Sequence, residues 1–167
     1  MTTGGSAVLE PLWDEVFGTG HPNPPGVASY GIRPRREAVR DAREFARATL
    51  QRWNLLTLSD DVALVASELV TNALRHSVRT DGVEHCTAGF EEREPIRLSL
   101  IRQTSHVVCA VRDPSVAIPV EKAPDSTSES GRGLHLVNCF SDTWGWQLLD
   151  GTGKIVWALF SAPRDEL

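Results

Sequence analysis

The sequence predicts an α+β domain in which helices precede and follow a group of antiparallel strands. Two long segments with a helical spacing of apolar residues come first, over 34–53 and 59–77. Strand-like runs joined by short connections follow, and a further helix and a hairpin come after them. Helices and strands that are segregated along the chain in this way favour an α+β fold over an alternating, parallel one.

Length and composition fit one ordinary domain with its own core, since the chain has 167 residues and 41% of them are hydrophobic. A net charge of −5 argues against a direct nucleic-acid surface, which needs clustered positive charge. No apolar run approaches the length that spans a bilayer, and the N-terminus lacks the basic and apolar regions of a secretory signal. We therefore expect a cytoplasmic protein with no membrane partner.

A boundary near residue 26 divides the chain into two parts. The segment "GTGHPNPPG" at 18–26 is dense in glycine and proline, which is typical of a flexible linker, so we predict the folded domain over 27–167. Apolar residues recur at helical spacing within the extension 1–26; they are Val8, Leu9, Leu12, Trp13, Val16 and Phe17. Two interpretations of this extension stay open, a short amphipathic helix and an unfolded tail.

The first helix of the domain is predicted to have an apolar stripe and an arginine-rich face. It begins at Pro34, because proline is favoured in the first turn of a helix. One interpretation of the basic face is a protein-docking surface, and the other is a solvated face balanced by neighbouring carboxylates. The arginines concerned include Arg36, Arg40, Arg43 and Arg47.

The second predicted helix carries a line of polar side chains along the edge of its apolar face. It begins with Ser59 as the N-cap, and two aspartates follow in the first turn, where the helix dipole favours them. Farther along, "SELVTNALRHS" places Glu68, Asn72 and His76 four residues apart and so on one face. Asparagine is a mediocre helix former, so its place here needs a reason. An oxygen ligand for Mg²⁺ is one explanation, and an incidental solvated face is the other.

The strands come in two groups; they are predicted at 83–90, 95–103 and 106–112, and then at 143–149 and 154–160. The connection "QTS" is too short for a crossover helix, so neighbouring strands are expected to pair antiparallel. Residues 114–130 form a long polar loop of the kind that often serves as a lid. The helix predicted from "GRGLHLVNCFSD" starts with glycines that would let backbone amides approach a phosphate.

Four motifs in this order resemble the boxes of the GHKL ATPase superfamily. They are "ELVTNALRHS", "VRDPS", "SGRGLHLV" and the closing "DTWGWQLLDGTGKIVWALF", and the resemblance covers roughly residues 28–161. Within the superfamily, the chain is most similar to the anti-sigma-factor serine kinases and related actinobacterial ATP-binding regulators. The resemblance implies a two-layer α+β sandwich of the Bergerat type, with three helices covering one face of a mixed, mainly antiparallel sheet.

The resemblance also implies roles for individual residues. Asn72 would bind the Mg²⁺ that bridges the phosphates of ATP, and Glu68 would be the general base that activates a serine hydroxyl or water. Asp113 would accept a hydrogen bond from the adenine amino group. The remaining cofactor-binding positions that it implies are His76, Ser115, Gly131, Arg132, Gly133 and Leu134.

Two positions depart from the family's pattern. Ser115 stands where a glycine would pack under the adenine. Ile155 follows Lys154 where many relatives have a threonine, which removes a polar contact. We expect both departures to bear on nucleotide affinity and not on the fold.

Two classes of function stay open at this point. The first is an ATP-dependent serine kinase that is also an anti-sigma factor, which would hold a sigma factor and phosphorylate an anti-anti-sigma protein. The second is a binding module that sequesters a partner without turnover, with or without nucleotide. Retention of both Glu68 and Asn72 favours the first. A second copy of the chain is a further candidate partner.

Overall fold

In the computed structural model of the chain, the described residues are 13, 16, 26–79, 96–115, 118–119, 132–149 and 153–163. The helices among them are α1 (Ala38–Arg52), α2 (Ser59–Arg79) and α3 (Arg132–Phe140). The strands are β1 (Val27–Ile32), β2 (Ile96–Arg102), β3 (His106–Asp113), β4 (Thr143–Leu149) and β5 (Gly153–Ser161). The predicted strand 83–90, most of the loop 114–130 and the hairpin turn lie outside the described residues.

The five strands form one sheet in the order β1-β2-β3-β5-β4, and each pairing between these strands is antiparallel. This confirms the predicted α+β sandwich and its antiparallel pairing, while the parallel pairing of a mixed sheet does not occur among the described strands. The central pair, β3 and β5, places Asp113 opposite Lys154. No helix in the described part of the chain combines the length and apolar character needed to cross a membrane.

Strand β1 is absent from the sequence prediction. Its sequence, "VASYGI", is short and rich in small residues, and most of it stays half-buried or exposed at the edge of the sheet. It is held by its antiparallel pairing with the buried β2, where the Ser29 and Ser99 hydroxyl oxygens lie 2.8 Å apart. Pairing with a buried neighbour, and not its own hydrophobic pattern, therefore makes this segment a strand.

The start of α1 differs from the prediction. Pro34 lies in a bend, and the helix begins at Ala38, so the prediction that Pro34 is the first helical residue is wrong. Arg35 forms an ion pair with Asp41 at 2.6 Å across this bend. The contact ties the connection to the first turn of the helix.

The start of α2 also differs from the prediction. Ser59 has helical torsion angles, φ −58° and ψ −47°, so its predicted role as the N-cap is wrong. A 3₁₀ turn, Leu56–Leu58, leads directly into the helix and replaces a capped start. Asp60 and Asp61 do lie in the first turn, as predicted.

Two arginines of the basic face of α1 lie beside carboxylates. Arg40 is 3.8 Å from Glu44, and Arg47 is 3.5 Å from Asp60 on α2. All four side chains are more than half exposed, so each pair adds little to stability. Such pairs are what the solvated-face interpretation predicts for these two positions.

Both faces of the central strands β2, β3 and β5 are buried. The inner face packs against the helices through alternate residues of the central strands, among them Leu98, Leu100, Val107, Cys109, Val156 and Ala158. The outer face forms a second apolar cluster that contains Ile101, Val108, Ala110, Ile155 and Trp157. Burial on two sides explains why these strands are almost continuously apolar and do not alternate with polar residues.

Two residues of the N-terminal extension belong to the outer cluster. Trp13 and Val16 have helical backbone, are each 3% exposed, and pack in that cluster with Trp157. These side chains therefore remove part of the outer sheet face from water. The rest of the extension up to residue 25 lies outside the described residues.

Truncation of Val16 should reveal whether this contact stabilises the domain. Val16→Ala is expected to lower the free energy of unfolding by about 2 kcal/mol, because it removes buried methyl groups and leaves a cavity. Leu148→Ala is a suitable control, since Leu148 is 45% exposed. Urea unfolding of both variants measures the difference, and equal stability of the two would show that the outer contact contributes nothing.

Candidate functional site

The polar line of α2 lies at the edge of the core, as its spacing predicts. Glu68, Asn72 and His76 are each half-buried on that helix. Neighbouring hydroxyls are satisfied within the helix, since Ser67 and Thr71 donate to carbonyl oxygens one turn earlier at 2.7 Å. Within the described residues, the side chains of Glu68 and Asn72 make no hydrogen bond. A half-buried carboxylate and amide thus retain hydrogen-bonding capacity for a ligand.

The first turn of α3 lies against this polar line. A Cβ atom on Gly133 would lie 2.9 Å from Glu68 Oε2 and 3.5 Å from Asn72 Oδ1, so a residue without a side chain permits this approach. The next residue, Leu134, is 4% exposed and packs in the inner cluster, which fastens the turn in place. The N-terminal end of a helix has unpaired amides and the positive end of the dipole. An anion-binding backbone therefore adjoins Glu68 and Asn72.

Asp113 closes β3 in a buried position and is paired with a buried lysine. Its Oδ1 accepts a hydrogen bond from the Ser115 amide at 2.8 Å and another from Lys154 Nζ at 3.1 Å. Lys154, 1% exposed, also donates to the Ser115 carbonyl at 3.4 Å. Burial raises the pKa of Asp113, and the charges of Lys154 and His76 act in the opposite direction. Helix α2, which carries His76, packs against β3, the strand that Asp113 closes.

Gly153 brings β5 against the turn that follows Asp113. It has a φ of 114°, in the region that favours glycine. A Cβ atom there would lie 2.8 Å from Pro114 Cα and would also overlap the Asp113 carbonyl. Gly153 therefore allows the approach that sets Lys154 beside Asp113. Ile155 is fully buried in the outer cluster, so its side chain points away from this site and the departure at this position removes no contact with Asp113.

Glu68 has the electrostatic surroundings of a base. Burial raises the pKa of its carboxyl group, while the charges of Arg75 and Arg43 lower it. A carboxylate with a raised pKa accepts a proton more readily near neutral pH. Arg43 belongs to the basic face of α1, so the charge of that face acts on Glu68.

The structure brings the α2 polar line, the α3 start and the end of β3 together, and these carry most of the predicted site residues. Gly131 lies outside the described residues, and the side chain of Arg132 is not described. Sequence reasoning missed Gly153 and Lys154. The rarity of lysine is the sequence feature that singles out Lys154, because lysine occurs in this chain only at positions 122 and 154.

The residues of this site fit a nucleotide with a hard cation. Asn72 offers an amide oxygen without a hydrogen bond in the described residues, and Gly133 leaves space beside it. Asp113 Oδ2 accepts no hydrogen bond from the described residues. The described part of the chain has no cluster of three or more His, Cys, Asp or Glu residues that could hold a metal. A cation here would depend on few protein oxygens plus its ligand, which is the habit of Mg²⁺.

Comparison with known proteins places the site within a family domain. The model of the histidine kinase-like ATPase domain matches residues 32–160, a range that contains every site residue from Glu68 to Lys154. The chain is also similar to a chain in the crystal structure of the SiaB–SiaC complex from Pseudomonas aeruginosa, with a TM-score of 0.58. Identity is 12%, and the match covers 92% of this chain and 95% of that chain, which shows a shared fold. No curated protein matches the chain.

Proposed function

The chain belongs to the histidine kinase-like ATPase domain family, and on that premise we propose that it is an ATP-dependent serine kinase acting as an anti-sigma factor. Membership of a GHKL-type ATPase family implies ATP binding. The observation that carries the proposal is the close approach of Gly133 to Glu68 and Asn72. It brings a carboxylate, a carboxamide and a helix N-terminus together in one small space.

The three sides of the site suit different parts of ATP. The adenine amino group would donate to Asp113, and the phosphates would accept hydrogen bonds from the backbone at Gly133, where the helix dipole is favourable. Asn72 would hold Mg²⁺, which would neutralise charge on the phosphates. Helix α2 connects the phosphate side of the site with the adenine side, since Glu68 and Asn72 adjoin Gly133 and the helix packs against β3, which ends at Asp113.

In the proposed reaction, Glu68 accepts the proton of a serine hydroxyl on the partner protein. The serine oxygen forms a bond to the γ-phosphorus of ATP, the bond between that phosphorus and the β,γ-bridging oxygen breaks, and ADP leaves with the electron pair. Phosphoryl transfer needs little covalent help from the protein, so positioning and charge stabilisation supply most of the rate. The raised pKa of Glu68 suits it to the proton transfer.

The partners that we propose are a sigma factor and an anti-anti-sigma protein, and a second copy of the chain in a homodimer. A cytoplasmic location follows from a sigma factor as the partner. The similar solved structure is itself a complex of two proteins, which supports a role in protein binding. Arg43, on the basic face of α1, adds positive charge close to Glu68 and suits an acidic partner segment near the transferred phosphate.

A second candidate function is a partner-binding module without turnover. The observation that favours it is the ion pair between Lys154 and Asp113, because one carboxylate oxygen of the adenine-binding residue is already engaged. In that case nucleotide binding would be weak or would serve only to shape the partner surface.

Phosphate transfer distinguishes the two functions. The purified protein is incubated with radiolabelled ATP, Mg²⁺ and a panel of anti-anti-sigma proteins from the source genome. The kinase proposal predicts label on one or more of them at a serine. Tight ATP binding without transfer to any member of the panel would favour the binding module.

A methyl group on Gly133 should impair the reaction without harming the fold. Gly133→Ala is expected to displace the Glu68 carboxylate, which is the mobile end of its side chain, and to slow transfer about tenfold to a hundredfold. Thermal stability should stay equal or rise, since alanine favours the helix. Cys139→Ala, on the exposed part of the same helix, is the control. Unchanged transfer by Gly133→Ala would separate this turn of α3 from the chemistry.

A further inference from the structure

The buried ion pair at the end of β3 gives the base-binding region a second polar group. We propose that Lys154 Nζ donates a hydrogen bond to N1 of adenine, next to the amino group that donates to Asp113. The ion pair would then recognise two adjacent positions on the edge of the base. This inference rests on the proposed nucleotide site and assigns a specificity-determining role to Lys154.

The strand register places the two groups side by side. Asp113 and Lys154 are directly opposite each other on β3 and β5. Both belong to the set of alternate residues that point toward the inner face, because Val111 and Val156 of the same strands pack in the inner cluster. The side chains of both residues are 2% exposed, and Nζ lies 3.1 Å from Oδ1.

The hydrogen-bonding capacity of the pair is only partly used. An ammonium group has three donors, and those of Lys154 meet two acceptors in the described residues, Asp113 Oδ1 and the Ser115 carbonyl. The described residues donate two hydrogen bonds to the Asp113 carboxylate, and both go to Oδ1. Its other oxygen, Oδ2, accepts no hydrogen bond from these residues. Counting only partners in the described part of the chain, one donor of Lys154 Nζ and the acceptor Asp113 Oδ2 therefore remain unused, on two groups that are in direct contact. Adenine presents the complementary pair, with N1 as the acceptor and the 6-amino group as the donor.

Stability alone is a poor reason for a lysine at this position. Lysine is almost never fully buried unless it is paired, and a buried ion pair is usually no more stabilising than apolar side chains of similar volume. The next residues of β5, Ile155 and Val156, are apolar and buried, so the strand accommodates such side chains readily. A ligand that uses the remaining donor gives the ammonium group a function.

A base analogue tests this contact on the unmodified protein. In 1-deaza-ATP, a C–H group replaces N1, which removes the acceptor and keeps the 6-amino group. With Mg²⁺ present, calorimetric titration should show that 1-deaza-ATP binds at least about tenfold more weakly than ATP, because it cannot accept the hydrogen bond that the charged Lys154 donates to N1. Comparable affinity for the two nucleotides would overturn the role of Lys154.

A variant then assigns the difference to Lys154. Lys154→Met keeps the length of the side chain and removes the donor, so ATP and 1-deaza-ATP should bind it with equal affinity. Ile155→Val, on the opposite face of the sheet, should keep the preference of the parent protein. A preference for ATP that persists in folded Lys154→Met would overturn the assignment, and if this variant does not fold, the analogue comparison on the parent decides.

The failure of the inference and the failure of the proposed function look different. If Asp113→Asn loses ATP binding while the parent protein binds ATP and 1-deaza-ATP equally well, the proposed nucleotide site stands and Lys154 does not contact the base. A parent protein that binds neither nucleotide would overturn both.

Discussion

Replacement of Glu68 by glutamine is expected to slow phosphate transfer by about 10²–10⁴-fold, the usual contribution of a general base. Affinity for ATP with Mg²⁺ should change little, because a base acts mainly in the transition state. Single-turnover transfer of radiolabelled phosphate, run beside calorimetric titration, measures the two quantities separately. An unchanged rate in Glu68→Gln would exclude Glu68 as the base.

The pH dependence of the rate gives an independent readout of the same residue. Burial raises the pKa of Glu68, and only the deprotonated form accepts a proton. The rate of the parent protein should therefore fall as the pH falls through this raised value, and the residual rate of Glu68→Gln should lack that decrease.

Asn72→Ala, on the same helix face, is the variant to compare with Glu68→Gln. It should abolish the increase in ATP affinity that Mg²⁺ causes, because Asn72 is the proposed protein ligand of the cation. Retained tightening in that variant would place the cation elsewhere.

Asp113→Ala is expected to abolish measurable ATP binding and to lower the free energy of unfolding by about 3–5 kcal/mol. Binding is lost because the adenine amino group loses its acceptor. Stability is lost because Lys154, 1% exposed, becomes an unpaired buried charge. Urea unfolding and calorimetric titration of the variant measure the two effects.

A double variant separates these two effects. Asp113→Ala combined with Lys154→Met should recover most of the lost stability, since neither charge remains, and should still fail to bind ATP. If the double variant is as unstable as Asp113→Ala alone, the buried charge is not the cause of the instability. If it binds ATP as well as the parent, Asp113 does not recognise the base.

The helices and the inner strands could be predicted because their signals are local. A spacing of four residues on one helix is sufficient to align Glu68, Asn72 and His76, whatever the rest of the chain does. Gly133 is predicted from the sequence to let backbone amides approach a phosphate. In the structure its close neighbours are Glu68 and Asn72, a contact that the sequence does not predict.

The missed features depend on contacts between distant segments. β1 is a strand because β2 pairs with it. The helical spacing of apolar residues around Trp13 indicates an amphipathic segment, but the surface that buries it, the outer face of the sheet with apolar residues from three strands, is not encoded locally. Lys154 meets Asp113 only through the register of β3 with β5. Asp113 and Lys154 are 41 residues apart in sequence, so the motif at either end is incomplete by itself.

Calorimetric titration of the parent protein with ATP and with GTP, each with Mg²⁺ and with EDTA, tests the central claim most directly. The account predicts that ATP binds, that Mg²⁺ tightens its binding, and that GTP binds much more weakly, because its 6-oxo group cannot donate to Asp113. Equal affinity for ATP and GTP, or no binding of ATP under any of these conditions, would contradict it.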